Sequence, residues 1–270
     1  MIEGASTGKR HKPPALSLDV REIPKMQAVA FIRQYHYSKV MPRLNKYFVG
    51  FFVGGQLSGV VVLGWGTQPL QTIRKLFPRH DLKTMDYIEI GKMCFLPDFN
   101  STKYFGSLVI SQLVKWLRRN TDFLYLYTLA DGIMGKCGYV YQASNFQYVG
   151  SFTTSVYRDR ATGEKIHPRS ARILLEENAA FDGVEKRHWL THGYCRYKGI
   201  DKINGRMFRY LYPLTKEGRR ILAAYPEYAG LPYPKDRDLA FSVRVDNKKY
   251  LPIPQPQFNK EVCRFNVQKY

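Results

Sequence analysis

The middle of the chain alternates between strand-like and helix-like patterns of apolar residues. The segment Tyr47–Gly66 contains two apolar runs with Gly54 and Gly55 between them, which predicts a β-hairpin closed by a glycine turn. Ile88–Leu96 is another apolar stretch of strand length, and it ends at Pro97. These two segments therefore predict β-structure in the first half of the chain.

A helical pattern follows the polar loop after Pro97. Apolar residues recur at a spacing of roughly three to four over Leu108–Leu117, which indicates an amphipathic helix. Phe123–Ala130 is predicted as a strand, and a short helix around Tyr139–Ser144 leads to a further strand from Phe146. The order strand, loop, helix, strand, helix, strand is typical of an α/β ligand-binding core. We therefore predict an α/β fold organised around residues 86–150.

The segments outside this core predict three parts of the chain. Residues 1–20 are basic and contain prolines, which indicates a flexible arm. Residues 21–236 form the folded domain, in which 47–157 is the core and 158–236 a basic extension. Residues 237–270 lose helical periodicity and become rich in proline, which predicts an extended tail.

The charge balance indicates a polyanionic partner. The 270 residues include 42 Lys and Arg against 22 Asp and Glu, a formal net charge of +20. Nucleic acid is the commonest partner of so basic a chain. A membrane surface is disfavoured because no apolar run reaches the roughly 18 residues that a spanning helix needs. The four scattered cysteines form neither a zinc motif nor a disulfide framework, so reduced thiols in the cytoplasm are expected.

The loop before the predicted helix has the residues of a phosphate site. Unpaired N–H groups at a helix N-terminus suit a phosphate, and small or capping residues let it approach. The alternative is an ordinary capped helix. The candidate cofactor-binding residues are Asn100, Ser101, Lys103, Gly106 and Ser107.

A second basic stretch, residues 186–220, interleaves cations with aromatic side chains. Cations can follow phosphates while aromatic rings stack on exposed bases, which is what a DNA surface requires. The alternative is a solvated basic face whose aromatic residues are buried in a sheet. The candidate DNA contacts are Lys92, Arg196, Arg206, Arg209 and Arg219.

Residues 47–157 resemble the GNAT acetyltransferase superfamily. The segment YQASNFQYVG is similar to that superfamily's YxxxGFxxxG ending, in which the tyrosine commonly acts as a general acid. This resemblance implies a mixed, splayed central sheet flanked by helices and an acetyl-CoA cofactor. Two departures stand out, because the usual glycine-rich loop is reduced to Gly106-Ser107 and Asn145 replaces the glycine before Phe146.

A narrower resemblance, to the phage Mom DNA-modification family, covers about residues 30–236. It is carried by the ordered set His36-Tyr37-Ser38, IEIGKMCFLPDFNS, the aspartate of LAD, YQASNF and a late RY…PYPK pattern. The resemblance implies double-stranded DNA as the partner and conversion of adenine in phage DNA to an N6-carbamoylmethyl form, which blocks host restriction. In this chain Lys136 stands where relatives tend to have a histidine, and Lys92 where an arginine is common.

The resemblance also implies a catalytic set, namely His36, Tyr37, Ser38, Asp131 and Tyr141. Asp131 ends a strand at its carboxyl end, where open α/β sheets place ligands, although it could equally cap the following turn. His36 is expected to bind the base or a metal, with iron as the candidate, and its alternative is a capping role. Tyr37 could stack on a flipped base or simply pack in the core. Tyr141 is the expected acid for a departing thiolate.

Three functions are compatible with these patterns. The first is an acyl-CoA-dependent DNA adenine modifier that acts in the host cell cytoplasm. The second is a catalytically inactive GNAT-like protein that binds nucleic acid, which the reduced glycine loop favours. The third is a GNAT N-acetyltransferase acting on a protein or small-molecule amine, for which so high a positive charge is not needed.

Overall fold

The structure is a computed structural model that describes residues 17–100, 102–168 and 171–265. The strands within these ranges are β1 (Asp19–Glu22), β2 (Leu44–Val53), β3 (Gln56–Trp65), β4 (Tyr87–Phe95), β5 (Tyr125–Asp131), β6 (Gln147–Asp159), β7 (Lys165–Ile166), β8 (Ile200–Pro213), β9 (Ser242–Arg244) and β10 (Tyr250–Pro252). The helices in the same ranges are α1 (Lys25–Tyr35), α2 (Pro69–Leu76), α3 (Pro97–Asn100), α4 (Phe105–Asn120), α5 (Tyr139–Ala143), α6 (Arg172–Phe181), α7 (His192–Lys198), α8 (Lys216–Ala223) and α9 (Pro226–Ala229).

The strands form one mixed sheet in the order β1-β2-β3-β4-β5-β8-β6-β7, with β9 on β8 and β10 on β9. Strands β4 and β5 are parallel, but they pair only over Tyr87–Ile90 and Tyr125–Thr128. Beyond these residues β4 continues beside β3 to Phe95, while β5 continues beside β8 to Asp131. The two strands therefore splay apart at their carboxyl ends. This confirms the predicted mixed, splayed sheet flanked by helices.

Helices cover both faces of the sheet, and the alternation of side chains along the strands explains why. Ile88, Leu126 and Phe208 point to the face that packs against the apolar side of α4. Tyr87 and Tyr125 point to the other face, where they pack against Ile73 and Phe77 from α2 and the residue that follows it. Helix α1 covers this second face at β2–β4. The gap between β4 and β5 therefore lies between the layer of α4 and the layer of α1 and α2.

Two turns use left-handed backbone that their residues tolerate. Gly54 and Gly55 have φ of 55° and 82° and join β2 to β3, as a two-residue hairpin turn requires. Asn145, where the resembling motif has glycine, has a φ of 60°. Asparagine is one of the few other residues that visit this region readily, so the departure from the motif keeps the turn.

Both predicted ends of the domain need correction. Asp19 and Val20, the last residues of the predicted arm 1–20, belong to the sheet because β1 begins at Asp19 and pairs with β2, whereas residues 1–16 of that arm lie outside the described residues. The predicted extended tail is also ordered in part, since β9 pairs with β8 and β10 with β9. Within the described residues, no helix combines the length and apolarity that crossing a membrane would need.

The basic stretch 186–220 is built differently from its prediction. Strand β8 is an interior strand, so Phe208 and Tyr210 are fully buried, and Tyr194 on α7 is buried as well. These three rings pack in the core and cannot stack on bases. Trp189 and Tyr197 are the aromatic residues of this stretch that stay exposed, at 61% and 73% of their surface.

Candidate active site

A cleft of about 270 Å³ lies beside the splayed ends of β4 and β5. Asp131 enters it from the end of β5, Lys92 from β4, and Tyr37 and Ser38 from the turn after α1. The fold thus brings together four predicted residues that are up to 94 positions apart in the chain. The carboxyl end of a strand is where the sequence placed Asp131, and the structure agrees.

Asp131 is held by a partly buried ion pair. One carboxylate oxygen, Oδ2, accepts a hydrogen bond from Lys165 Nζ at 2.5 Å, and the two side chains are only 17% and 19% exposed. The other oxygen, Oδ1, is buried and has no hydrogen-bond partner among the described residues. A buried acceptor without a donor is costly, so this oxygen is suited to a donor that a substrate supplies.

Cations surround the aromatic residues of the cleft. The ring of Tyr37 stacks on that of His36, with centroids 4.3 Å apart, while Lys136 Nζ lies 4.0 Å from the Tyr37 centroid. Lys165 approaches the same ring at 5.8 Å. Burial is the main cause that raises the pKa of Tyr37. Tyr37 therefore stays a neutral phenol and offers a flat, polarised wall to a planar ligand.

His36 is a buried, neutral imidazole at physiological pH. Its Nδ1 accepts a hydrogen bond from the backbone N–H of Ser38 at 2.9 Å. Burial, and then the nearby charge of Lys92, lower its pKa well below the usual 6.5. Its contacts with Tyr37 and Ser38 show that it supports the wall of the cleft.

Lys92, a predicted DNA contact, lies in the cleft. The pairing of β3 with β4 skips Gly91, so that Leu63 faces Ile90 but Val62 faces Lys92. This bulge reverses the alternation and turns Lys92 to the α1 side of the sheet. Lys92 Nζ donates to the backbone oxygen of Ser38 at 2.8 Å. Burial, followed by the charge of Lys165, lowers the pKa of Lys92 to about 7.

Glu89 is the acid of the site whose protonation is most altered. Burial raises its pKa to about 7, although the N–H of Gly66 donates to its Oε2 at 3.1 Å and partly opposes the shift. Glu89 borders both the cleft and an adjoining cavity of about 650 Å³, which lies between α2 and the sheet. A carboxyl with a pKa near neutrality can accept a proton at working pH, which is what a general base requires.

Tyr141 approaches the site from the opposite face of the sheet. It is buried on α5, with its ring 5.4 Å from that of Phe146 and 5.6 Å from that of Tyr210. Burial raises the pKa of its hydroxyl, and Glu89 adds to this effect. Tyr141 in its ionised form would also raise the pKa of Tyr37, so its hydroxyl lies within electrostatic reach of both residues. Tyr141 is thus a protonated donor at the gap between the strands.

The predicted cofactor loop is only partly described. Ser101 and the side chain of Asn100 lie outside the described residues, and Lys103 is exposed. A Cβ on Gly106 would come within 2.7 Å of Val140 Cγ2, so this glycine allows α4 and α5 to pack closely. Ser107 lines a groove of about 270 Å³ between these helices, together with Lys115, Arg118 and Asn145.

The four predicted DNA contacts other than Lys92 separate into two groups. Arg206 is exposed beside the cleft residue Met207, and Arg209 lines the 650 Å³ cavity. Arg196 is exposed on α7, which precedes β8 at the same end of the sheet. Arg219 is also exposed, but α8 follows the far end of β8, where Pro213 pairs with Tyr125. Arg219 is therefore remote from the cleft.

Sequence patterns missed Lys136 and Lys165 as site residues. Lys165 belongs to β7, which folds back on β6 and returns to the cleft 34 residues after Asp131. No local pattern signals this contact. Lys136 could have been suspected from its position in the motif where relatives tend to carry a histidine.

The donor set in the cleft does not fit the suggested iron ion. Among the described residues no group of three or more His, Cys, Asp or Glu side chains is placed to hold a metal. The charges of Lys92, Lys136 and Lys165 all act on His36 and lower its pKa. A cation at His36 would therefore face three like charges.

The chain matches one protein-family model, a phage protein and several solved structures. The model of the Mom protein family matches residues 17–235. The chain is 26% identical over 192 residues to the methylcarbamoylase Mom of Escherichia phage Mu, which covers 70% of this chain and 77% of that protein. An N-acetyltransferase from Staphylococcus aureus Mu50 aligns with 74% of this chain and 99% of its own, at 11% identity and a TM-score of 0.39. The ribosomal-protein-S18-alanine N-acetyltransferase of Escherichia coli aligns with 74% of this chain and 95% of its own, at 8% identity and a TM-score of 0.38.

Proposed function

Since the chain belongs to the Mom protein family, we propose that it is a transferase that modifies adenine at N6 in phage DNA. The group added resembles carbamoylmethyl, the donor is of the acyl-CoA type, and the reaction takes place in the host cytoplasm, where it protects the DNA from restriction. The observation that carries the proposal is the cleft at the splay of β4 and β5. There a buried, unpartnered carboxylate oxygen, two groups with pKa near 7 and an aromatic wall meet.

The base must leave the duplex before it can react. An enzyme that acts on a base edge flips the nucleotide into a pocket and reads it by stacking and hydrogen bonds. Tyr37 supplies a flat face for stacking, backed by His36. Asp131 Oδ1 lacks a donor, and the exocyclic amino group of adenine can provide one. This contact orients the nitrogen toward the gap between the strands.

Activation of the amino group falls to Glu89 in this scheme. The N6 lone pair is delocalised into the ring, so the nitrogen is a poor nucleophile until a proton is removed as the new bond forms. Glu89 accepts this proton, since its raised pKa of about 7 makes it a usable base near neutral pH. The new bond joins N6 to the thioester carbon, the carbon–sulfur bond breaks, and Tyr141 gives its proton to the sulfur, which yields an N6-acyl adenine and the free thiol. A carbamoylmethyl group would require a further nitrogen donor after this step.

The α4 side of the sheet offers a place for the donor. The groove lined by Ser107, Lys115 and Arg118 has cations for phosphate groups, and the α4 N-terminus adds unpaired N–H groups. When bound, an acyl-CoA would supply the thioester, and in this proposal the acyl end reaches the cleft through the splay between β4 and β5. The inactive-binder alternative is less well supported, because perturbed acids and amines in a cleft are typical of catalysis.

Nucleoside mass spectrometry of DNA from cells that express the chain tests this function. One new adenosine species, absent from cells that carry an empty vector, is expected. Its mass identifies the transferred group. Unmodified nucleosides in the presence of folded, soluble protein would favour the nucleic-acid-binding alternative.

Tyr141→Phe should slow modification by about tenfold, because the hydroxyl that protonates the leaving sulfur is lost while the ring packing is kept. Single-turnover rates with donors of different thiol pKa provide the measurement. The variant should lose most with the most basic leaving thiol. Equal losses for all donors would show that Tyr141 acts only through packing.

DNA binding should depend steeply on salt and on which arginine is changed. The logarithm of the binding constant is expected to fall with log salt by about 0.9 per phosphate neutralised. Arg206→Glu, beside the cleft, should weaken binding to all sequences alike. Arg219→Glu carries the same charge change at the remote end of the sheet and should have little effect. Fluorescence anisotropy with duplexes at several salt concentrations measures both, and equal losses would contradict the placement of the DNA.

A further inference from the structure

A second, strongly cationic cavity lies away from the cleft. It has a volume of about 580 Å³ and is formed by α7, the beginning of β8 and β9. Cys195 on α7 is among its buried lining residues. Burial raises the pKa of this thiol, and the charge and hydrogen bond of Arg244, with the charges of Lys202 and Arg160, partly oppose that shift. The three cations therefore lie close together around one concave surface.

The acids near this cavity neutralise only part of its positive charge. Asp201 accepts hydrogen bonds from Arg158 at 2.9 Å and from Arg160 at 2.8 Å, so a single carboxylate serves two guanidinium groups. Asp246 lies 3.8 Å from His192. Within the described part of the chain, neither Arg196 nor Lys202 forms an ion pair.

Arg244 gives the cavity an unsatisfied donor. Its Nη2 atom is buried and has no hydrogen-bond partner among the described residues. Buried guanidinium nitrogens are normally paired, because an unmade charged hydrogen bond costs free energy. A tetrahedral oxyanion would accept from this nitrogen and from Lys202 and Arg196 together.

We propose that this cavity binds a backbone phosphate of the DNA substrate, an inference that rests on the proposed function. Phosphate groups match the cavity in charge, in acceptor number and in the bidentate geometry that guanidinium prefers. The contact carries no sequence information and fixes the position of the duplex relative to the cleft.

The length of β8 sets the spacing between this contact and the reacting base. Met207, which lines the cleft, pairs with Asp131, and Lys202 lies five residues earlier on the same strand. At about 3.4 Å per residue the two points are about 17 Å apart. DNA rises about 3.4 Å per nucleotide along one strand, so a duplex lying along β8 would place the bound phosphate about five base pairs from the flipped adenine.

The test uses two cations of the cavity that lie outside the buried core, the exposed Arg196 and the partly buried Lys202. The double variant Arg196→Gln/Lys202→Gln is compared with Lys25→Gln/Arg119→Gln, in which two exposed cations at other places in the fold are removed. Anisotropy with a duplex that extends eight base pairs on each side of a central adenine gives the binding constant across salt concentrations. The cavity variant should bind about tenfold more weakly and lose about 0.9 from its salt slope, whereas the control should keep the wild-type slope.

Two further measurements vary the length of the duplex and test the binding of the donor. Shortening the flanks to three base pairs should weaken wild-type binding and remove the difference between the two double variants. If the cavity variant instead keeps the wild-type slope but loses affinity for coenzyme A in calorimetry, the phosphate is that of the donor and the DNA assignment is overturned. If both double variants keep the wild-type salt slope and affinity, the proposal that the cavity binds a phosphate is wrong, while the proposed function stands. A wild-type protein that binds no duplex would overturn the proposed function and this inference with it.

Discussion

Asp131→Asn should lower the rate of DNA modification by about 10²-fold or more while the protein still binds DNA. The substitution keeps the shape of the side chain but removes the charge that Lys165 holds at 2.5 Å. An amide can turn its NH₂ toward the buried Oδ1 position, where it would repel the amino group of adenine. DNA affinity is retained because the loss of a negative charge does not weaken attraction to phosphates.

Asp122→Asn is the matched control, since it makes the same charge change at an exposed position beyond the far end of β5. It should modify DNA at the wild-type rate. Thermal unfolding of both variants separates a loss of fold from a loss of chemistry, because removing one partner of a buried ion pair can cost several kcal/mol. A folded Asp131→Asn protein with wild-type activity would place the reacting nitrogen elsewhere.

Glu89→Gln should lower the rate of modification by about 10²-fold and abolish its dependence on pH. A carboxyl with a pKa of about 7 is protonated below that pH and cannot accept a proton. The wild-type rate should therefore rise about tenfold per pH unit up to pH 7 and then level off. Rate measurements from pH 5.5 to 8.5 at saturating DNA and donor give both quantities.

The raised pKa of Glu89 also predicts how the stability of the fold changes with pH. The folded pKa of Glu89 lies above the ordinary value of 4.5, so the folded state binds the extra proton and loses stability as the pH rises from about 4.5 to 7. Glu89→Gln should accordingly unfold at a higher temperature than the wild type at pH 8, and not at pH 4. This gain with lost activity is typical of a residue that serves catalysis at the expense of stability.

Lys92 is the competing explanation for a transition near pH 7, because its pKa is lowered to about 7 as well. Lys92→Met removes that titration and keeps the length of the side chain. If Glu89→Gln retains the rise with pH and Lys92→Met abolishes it, the lysine is the base and the role given to Glu89 is wrong.

Local patterns predicted the elements well because their apolar periods matched the burial that the fold provides. The hairpin at Gly54 and Gly55 and the amphipathic helix now seen as α4 are examples. Phe208 and Tyr210 show the limit, since the interleaved cations and aromatic residues were interpreted as a DNA surface, with burial of the rings in a sheet only as the alternative. Strand β8 pairs with β5 and β6 on its two sides, and that long-range pairing buries both rings.

Some residues of the candidate site could likewise be predicted from local sequence, and others could not. Asp131 could be predicted because a strand end is a local feature with a known geometric consequence. Glu89 could not be assigned to a face, since alternation alone leaves both faces open until α2 covers one. The bulge at Gly91 and the return of Lys165 on β7 depend on pairing across the sheet, which no local window contains.

The most direct test of the central claim follows two isotopes through one reaction. Purified protein is incubated with a DNA duplex labelled with ¹⁵N at the exocyclic nitrogen of adenine and with acetyl-CoA labelled with ¹³C in the acetyl group, and the nucleosides are analysed by mass spectrometry. The proposed function predicts a single new adenosine species that carries both labels, formed by the wild type and not by Asp131→Asn. A product that lacks either label, or a modified nucleoside other than adenosine, would contradict it.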